Sequence, residues 1–145
     1  MTAIELLEHQ HRQLEHLFAQ LEHCPSDHCA ELFGRLADLL EAHIDMEEQV
    51  FYPAARGEGC DDLLDKSLEA HAELARLTED MRHLSGADAR FWAKYALLRE
   101  HVESHVREEE FELLPACERF LPAVRLELFK DRVFTTGTLA NSAVM

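Results

Sequence analysis

Turn-forming residues are concentrated in a few short segments of this chain. These segments are CPSD at 24–27, PAARGEGCDD at 53–62 and SGAD at 85–88, followed by Pro115 and Pro122. Because Gly and Pro interrupt regular structure, the chain is divided into four long stretches that are predicted to be helices. The predicted helices cover residues 2–23, 28–52, 62–84 and 88–114. No stretch is a good candidate for a β-strand.

The composition supports a single all-α domain. The chain has 145 residues, of which 47% are apolar, with only five Gly and four Pro, and a chain of this length can bury a core without disulfides. Short connections make consecutive helices antiparallel, so we predict an up-down-up-down four-helix bundle over residues 1–115. Residues 116–134 are predicted to form a short C-terminal helix that packs on the bundle, and residues 135–145 a flexible tail.

The charge limits the classes of partner. Lys and Arg number 14 against 29 Asp and Glu, for a net charge of −15, and such a surface repels nucleic acid and anionic lipid. The N-terminal segment is too charged for a signal peptide or a membrane span. Four cysteines without a C-x-x-C pair fit free thiols in a reducing cytoplasm, so we expect a cytoplasmic protein. The sequence does not indicate its oligomeric state.

Polar side chains lie in the middle of the apolar face of each predicted helix. At about 100° per residue, His11 falls at the centre of the stripe that contains Leu7 and Leu14. The segment HIDMEEQVFYP at 43–53 has the same pattern as HVREEEFELLP at 105–115, with His, Glu and Pro at matching places. The inward-facing polar residues are His11, His43, Glu47, His71, His105 and Glu109.

This set of residues favours a metal site. A lone core histidine is usually hydrogen-bonded, and a single His-x-x-x-Glu pair is usually a helix-surface interaction. Two buried carboxylates close together, however, would cost several kcal/mol each and repel one another, so a cation is expected between them. Imidazole and carboxylate ligands suit iron, manganese or zinc, and a Glu from each of two helices can bridge two ions. The pattern therefore predicts a two-metal centre at mid-bundle.

From residue 1 to 115 the chain resembles the hemerythrin-like, or HHE, domain family. The match consists of a His in the first helix, His-x-x-x-Glu in the second, a His in the third and His-x-x-x-Glu in the fourth. The resemblance implies two non-heme iron ions with an oxo or hydroxo bridge. It also implies the ligands: His11 and His43 on one iron, His71 and His105 on the other, and Glu47 and Glu109 bridging both.

One position departs from the pattern of the oxygen-carrying members of the family. They have a second histidine one turn after the first on the third helix, where this chain has Ala75. His101, one turn before His105, is a candidate to fill that ligand position or to hydrogen-bond a ligand, and Glu112 is a further inward candidate. With one protein ligand fewer, we expect a more open and more reactive centre.

The resemblance implies binding of a small ligand such as oxygen, nitric oxide or peroxide, for sensing, storage or scavenging. A di-iron oxidase or peroxidase-like enzyme and an iron-handling protein that stores or delivers iron are the alternatives. Among the other residues, Tyr52, Tyr95 and Trp92 are interpreted as packing residues.

Overall fold

The computed structural model describes residues 3–118, which are helical and contain no β-strand. The helices are α1 (Ala3–Glu22), α2 (Cys29–Met46), α3 (Tyr52–Ala55), α4 (Asp61–Arg82), α5 (Ala89–Glu108) and α6 (Leu114–Cys117). A π-helical turn over Glu47–Phe51 joins α2 to α3, and another over Glu109–Leu113 joins α5 to α6. The long helices α1, α2, α4 and α5 occupy the four predicted stretches, and the all-α prediction is confirmed for this part of the chain.

The long helices form a closed bundle. α1 packs on α2, α2 on α4 and α4 on α5. The ring closes between α5 and α1, where the Tyr95 hydroxyl donates to the Phe18 carbonyl and Arg99 pairs with Glu22. Across residues 3–118, none of these helices is both long enough and apolar enough to cross a bilayer.

Two helical rods, α2 to α3 and α5 to α6 with the π-helical turns between them, run farther than predicted. They pass Pro53 and Pro115 and end at Ala55 and Cys117. Each proline is the second residue of a short terminal helix that follows a π-helical turn. The predicted ends at residues 52 and 114 were therefore wrong by three residues each, because the prolines were taken as stops.

The predicted C-terminal helix over residues 116–134 lies outside the described residues apart from its first three positions. The same is true of the whole predicted tail at 135–145. Residues 116 and 117 belong to α6. The rest of this organisation stays a prediction.

Two apolar clusters fill the bundle. The first is built around Leu14, Phe18, Leu21, Phe33, Leu36, Leu40, Leu74, Met81, Phe91, Leu98 and Val102. The second comprises Leu6, Leu7, Met46, Phe51, Tyr52, Ala55, Cys60, Leu64, Leu113, Leu114 and Cys117. On α1, α2 and α4 the inward-facing histidine lies between residues of the first cluster and residues of the second. His105 lies between Val102 of the first cluster and Leu113 of the second, which follows α5. The clusters therefore enclose a polar layer at mid-bundle.

The turn between α4 and α5 contains a glycine in close contact with the start of α2. A Cβ atom on Gly86 would lie 2.7 Å from Cys29 Cβ and 2.9 Å from the Ser26 carbonyl oxygen. We expect Gly86→Ala to lower the free energy of unfolding by about 1–3 kcal/mol, the usual range for overpacking, measured by urea denaturation of the metal-free protein.

Gly34 provides the matched control, since it lies inside α2 and a Cβ there meets nothing within 4 Å. Gly34→Ala is expected to raise the free energy of unfolding by about 0.5–1 kcal/mol, because alanine loses less backbone entropy in a helix. Equal effects of the two substitutions would contradict the assigned close contact at Gly86.

Candidate metal centre

The structure brings six of the predicted polar residues together at the middle of the bundle. One imidazole comes from each long helix, and one carboxylate comes from the first position of each π-helical turn. Each of these side chains is at most 4% exposed. They are His11 on α1, His43 on α2, His71 on α4, His105 on α5, and Glu47 and Glu109.

Within residues 3–118, the donor atoms form two groups that could each hold a metal ion. In each group the nitrogen and oxygen atoms lie within 4.8 Å of one another, and both carboxylates take part in both groups. The groups are His11, His43, Glu47 and Glu109, and Glu47, His71, His105 and Glu109. The imidazoles are paired in the way that the family resemblance implies, while their coordination of metal stays a prediction.

The contacts between donors link opposite halves of the chain. His11 Nε2 lies 2.9 Å from Glu109 Oε1, and His71 Nε2 lies 3.1 Å from Glu47 Oε1. The Nε2 atoms of His71 and His105 are also 3.1 Å apart. Each carboxylate thus reaches an imidazole on a helix distant in sequence, which is the arrangement needed for a carboxylate shared between two ions.

The π-helical turns place the two carboxylates. The N–H of Tyr52 donates to the carbonyl of Glu47, five residues earlier, and the N–H of Leu114 donates in the same way to Glu109. Such a turn inserts one residue into the helix and is frequent at functional sites. The signal in the sequence is a proline six positions after each of these Glu residues.

Two further carboxylates, which the sequence analysis missed, orient two of the imidazoles. Glu110 Oε2 lies 2.6 Å from His11 Nδ1, and Glu48 Oε2 lies 2.7 Å from His71 Nδ1. A carboxylate on the outer nitrogen fixes the tautomer of a metal-binding histidine and makes its inner nitrogen a better donor. The Glu-Glu dipeptide repeated in both halves is the signal that could have identified them.

The atoms left without partners fit a cation. His43 Nδ1 donates to Gln10 Oε1 at 2.6 Å, so its Nε2 carries a lone pair. Burial holds the pKa of His43 well below its ordinary value. Among residues 3–118, that Nε2 and Glu47 Oε2 are buried without a hydrogen-bond partner. Because buried polar atoms are nearly always satisfied, a metal ion between these two acceptors is a suitable partner.

Hydrogen-bonded protons balance the charge of the buried carboxylates. Burial alone lowers the pKa of His11, but its bonds to Glu109 and Glu110 outweigh burial and raise the pKa to about 10. The pKa of His71 is raised for the same reason. Burial would raise the pKa of Glu47, yet bonds to Glu109 and neighbouring imidazoles lower it. Metal binding would therefore displace protons from the imidazoles.

Tyr52 is more than a packing residue. Its hydroxyl donates to Glu109 Oε2 at 2.8 Å and lies 2.6 Å from Ser67 Oγ. Since the tyrosine proton is used on the carboxylate, the serine hydroxyl donates to the tyrosine oxygen. This chain of bonds ties the π-helical turn at Glu109 to α4, and the interpretation of Tyr52 as packing alone was incomplete.

The structure does not bring His101 or Glu112 to the centre. Both side chains are exposed, and neither belongs to a donor group. At about 100° per residue, His101 lies about 60° to one side of Leu98, whereas Val102 and His105 stay within about 40° of it. His101 consequently leaves the buried stripe and comes near Glu73 of α4.

A groove leads from the surface to one of the imidazoles. It has a volume of about 410 Å³ and runs between α2 and α4, where its lining includes Glu48, His71, Ala72 and Ala75. Ala75 is exposed, one turn after His71. The small side chain at this position leaves open the space that a larger residue would fill.

Another groove, of about 440 Å³, runs between α1 and α5 and reaches His11. Arg12 and Glu110 line it and form an ion pair at 2.5 Å. This pair restricts the approach to His11, and the bond between them lowers the pKa of Glu110 after the larger contribution of His11.

Glu110→Gln is expected to weaken metal binding by about 10–100-fold, the usual effect of removing such an outer carboxylate. The neutral amide is a poorer acceptor for the proton on His11 Nδ1. Metal titration against a competing chelator measures the change. Glu15→Gln is the matched control, because Glu15 pairs with Arg12 at 3.3 Å and lines the same groove. An equal loss in both variants would contradict an orienting role for Glu110.

Comparison with known proteins agrees with this geometry. Residues 2–117 match the hemerythrin HHE cation binding domain. The crystal structure of a hemerythrin HHE cation binding domain-containing protein from Mycobacterium kansasii superposes with a TM-score of 0.78 at 20% identity. The superposition covers 99% of this chain and 90% of that chain. At this identity the similarity concerns the fold.

A curated relative is named DNA nickase and comes from Nostoc sp.. The two sequences are 30% identical over 132 residues, which is 88% of this chain. The chain spans only 36% of the length of that protein.

Proposed function

Because the chain belongs to the hemerythrin HHE cation binding domain family, we propose that its buried centre holds two iron ions and binds a small ligand such as oxygen, nitric oxide or peroxide. The observation that carries the proposal is the pair of four-donor groups sharing two carboxylates. The proposed ligands are His11, His43, His71 and His105, with Glu47 and Glu109 shared by both ions.

The donor chemistry supports iron. Imidazole and carboxylate donors suit iron, manganese or zinc, and the resemblance to the hemerythrin-like family favours iron among them. When bound, a ferrous pair would supply electrons to a small oxidising ligand.

The side chains of this protein orient the imidazoles, hold protons on their outer nitrogens and exclude bulk water. Glu48 and Glu110 accept hydrogen bonds from the Nδ1–H groups of His71 and His11 and hold the inner nitrogens toward the centre. The two apolar clusters lie on either side of the polar layer and keep bulk water out. The groove beside Ala75 provides a route for a small ligand to the side of the centre near His71.

We propose a role in sensing, storage or scavenging of the ligand. The groove at Ala75 also favours a second candidate, a di-iron oxidase or peroxidase-like enzyme, because a site with an accessible position allows a reactant to enter and a product to leave. Cleavage of DNA, the activity in the name of the Nostoc protein, is not proposed, since a net charge of −15 opposes approach to a polyanion.

Optical spectroscopy of the ferrous protein tests the proposal. The protein is loaded with ferrous iron under anaerobic conditions, oxygen is added, and the spectrum is followed with time. A stable chromophore that disappears when oxygen is withdrawn supports ligand binding, whereas continued consumption of oxygen or peroxide supports an enzyme. Release of the iron into solution on oxidation would contradict both and favour an iron-handling protein.

A further inference from the structure

Two cysteines that are distant in sequence meet in the second apolar cluster. Cys60 directly precedes α4, Cys117 is the last residue of α6, and their Sγ atoms are 3.1 Å apart. Their side chains are almost completely buried, at 4% and 2% exposure. An S–S bond is about 2.05 Å long, so these sulfur atoms need to approach by only about 1 Å to become linked.

The backbone around Cys60 can absorb this movement. The residue lies at the end of the loop between α3 and α4, where Gly57 and Gly59 both have positive φ angles, of 84° and 98°. A Cβ at either glycine would meet nothing within 4 Å, so the loop is not tightly packed there. Cys117 is fixed in a helix, whereas its partner is carried by a loop that can adjust.

The surroundings separate this pair from the other thiols. Cys24 and Cys29 lie at the opposite end of the bundle, where Cys29 is close to Gly86, and Cys24 is the most accessible cysteine of the chain. Burial and the bond to Cys60 raise the pKa of Cys117 to about 12, so this thiol stays protonated and reacts slowly. Burial of both side chains also excludes bulky electrophiles. A small uncharged oxidant is therefore the reagent that fits.

We propose that Cys60 and Cys117 are a redox-sensitive pair that closes to a disulfide when the protein meets hydrogen peroxide. Oxidation of the first thiol gives a sulfenic acid and one water, and attack of the second thiol on that sulfur forms the S–S bond and releases a second water. In total, two S–H bonds are lost and one peroxide is reduced to two waters. No electron donor beyond the two thiols is needed.

The bond would connect the start of α4, which carries His71, to the end of the rod that carries His105 and Glu109. It would close a long loop of the chain, and such cross-links stabilise mainly by restricting the unfolded state. We expect the oxidised protein to melt about 10 °C higher than the reduced protein. The inference does not depend on the proposed metal, because the metal-free chain contains the same pair.

The test uses the full chain, treated with chelator and then with hydrogen peroxide. Titration of thiols in denaturant is expected to fall from four to two per chain, with a mass loss of about 2 Da that dithiothreitol reverses. Peptide mapping is expected to find Cys60 joined to Cys117. A disulfide between Cys24 and Cys29, chains linked through Cys24, or sulfinic acids with no joined peptide would overturn the proposal.

Two variants test whether the disulfide forms because Cys60 and Cys117 are close together or because a thiol is accessible to the oxidant. Cys24→Ala removes the most accessible thiol and should leave the disulfide and its effect on the melting temperature intact. Cys117→Ala should abolish both. If Cys117→Ala does not fold, the peptide map of the parent chain still decides whether the bond forms. A mapped disulfide that leaves the melting temperature unchanged would overturn the expected stabilisation by the cross-link.

Discussion

Glu47→Gln and Glu109→Gln are each expected to remove nearly all bound metal while leaving the helical bundle folded. Each carboxylate belongs to both donor groups, so one substitution weakens both sites. The drop in metal affinity should be larger than the drop of about 10–100-fold expected when a carboxylate that only orients a ligand is removed. Metal analysis after gel filtration and far-ultraviolet circular dichroism measure the two parts of this prediction.

The fold is expected to survive because its stability comes from the two apolar clusters rather than from the polar layer. Gln also keeps the shape of Glu and removes a buried negative charge, which is itself costly to bury. Glu112→Gln is the matched control for Glu109→Gln, since Glu112 lies in the same π-helical turn but is exposed. A Glu47→Gln or Glu109→Gln protein that retained both metals and an unchanged spectrum would exclude the shared role of that carboxylate.

Ala75→His is expected to make the centre less accessible to added ligands. Ala75 stands one turn after His71 on α4 and lines the groove that ends there, so a histidine at this position can reach the side of the centre near His71. We expect about 10-fold weaker binding of azide and a similarly slower oxidation of the ferrous protein in air. Azide titration by optical absorption and the rate of oxidation measure these effects.

Ala72→His is the matched control, because Ala72 lines the same groove but lies about 100° around the helix from His71. It adds an imidazole to the groove without the spacing of one helical turn. If Ala75→His bound two metals normally and showed the azide affinity and oxidation rate of the parent, the ligand position that is open to azide would not be the one near Ala75.

The helices and the convergence of polar residues could be predicted because they depend on local sequence. The spacing of Gly and Pro located the four long helices, and the 3.6-residue period placed His11 and His71 on inward faces. Helix ends at Pro53 and Pro115 were misplaced, because a hydrophobic period does not show that one residue is inserted into a helical turn. The inserted residue is what lets the rod continue past each proline.

The outer partners could not be predicted because they depend on distances between helices. Glu48 and Glu110 are exposed or half-buried. The repeated Glu-Glu dipeptide marks their positions but does not show which imidazole each carboxylate contacts. Whether the Tyr52 hydroxyl reaches Glu109 depends on how α3 packs against α4 and the second π-helical turn. His101 lies one turn before His105, and this spacing suggested that both share the buried face. The buried stripe of α5 is centred on the other side of His105, so His101 is exposed.

The number of metal ions per chain tests the central claim most directly. The claim is that Glu47 and Glu109 are shared between two ions, which one ion would not require. Elemental analysis of the protein purified from iron-replete cells is expected to give about two metal ions per chain, with iron predominant. One tightly bound zinc per chain, with no second ion taken up on titration, would contradict the account.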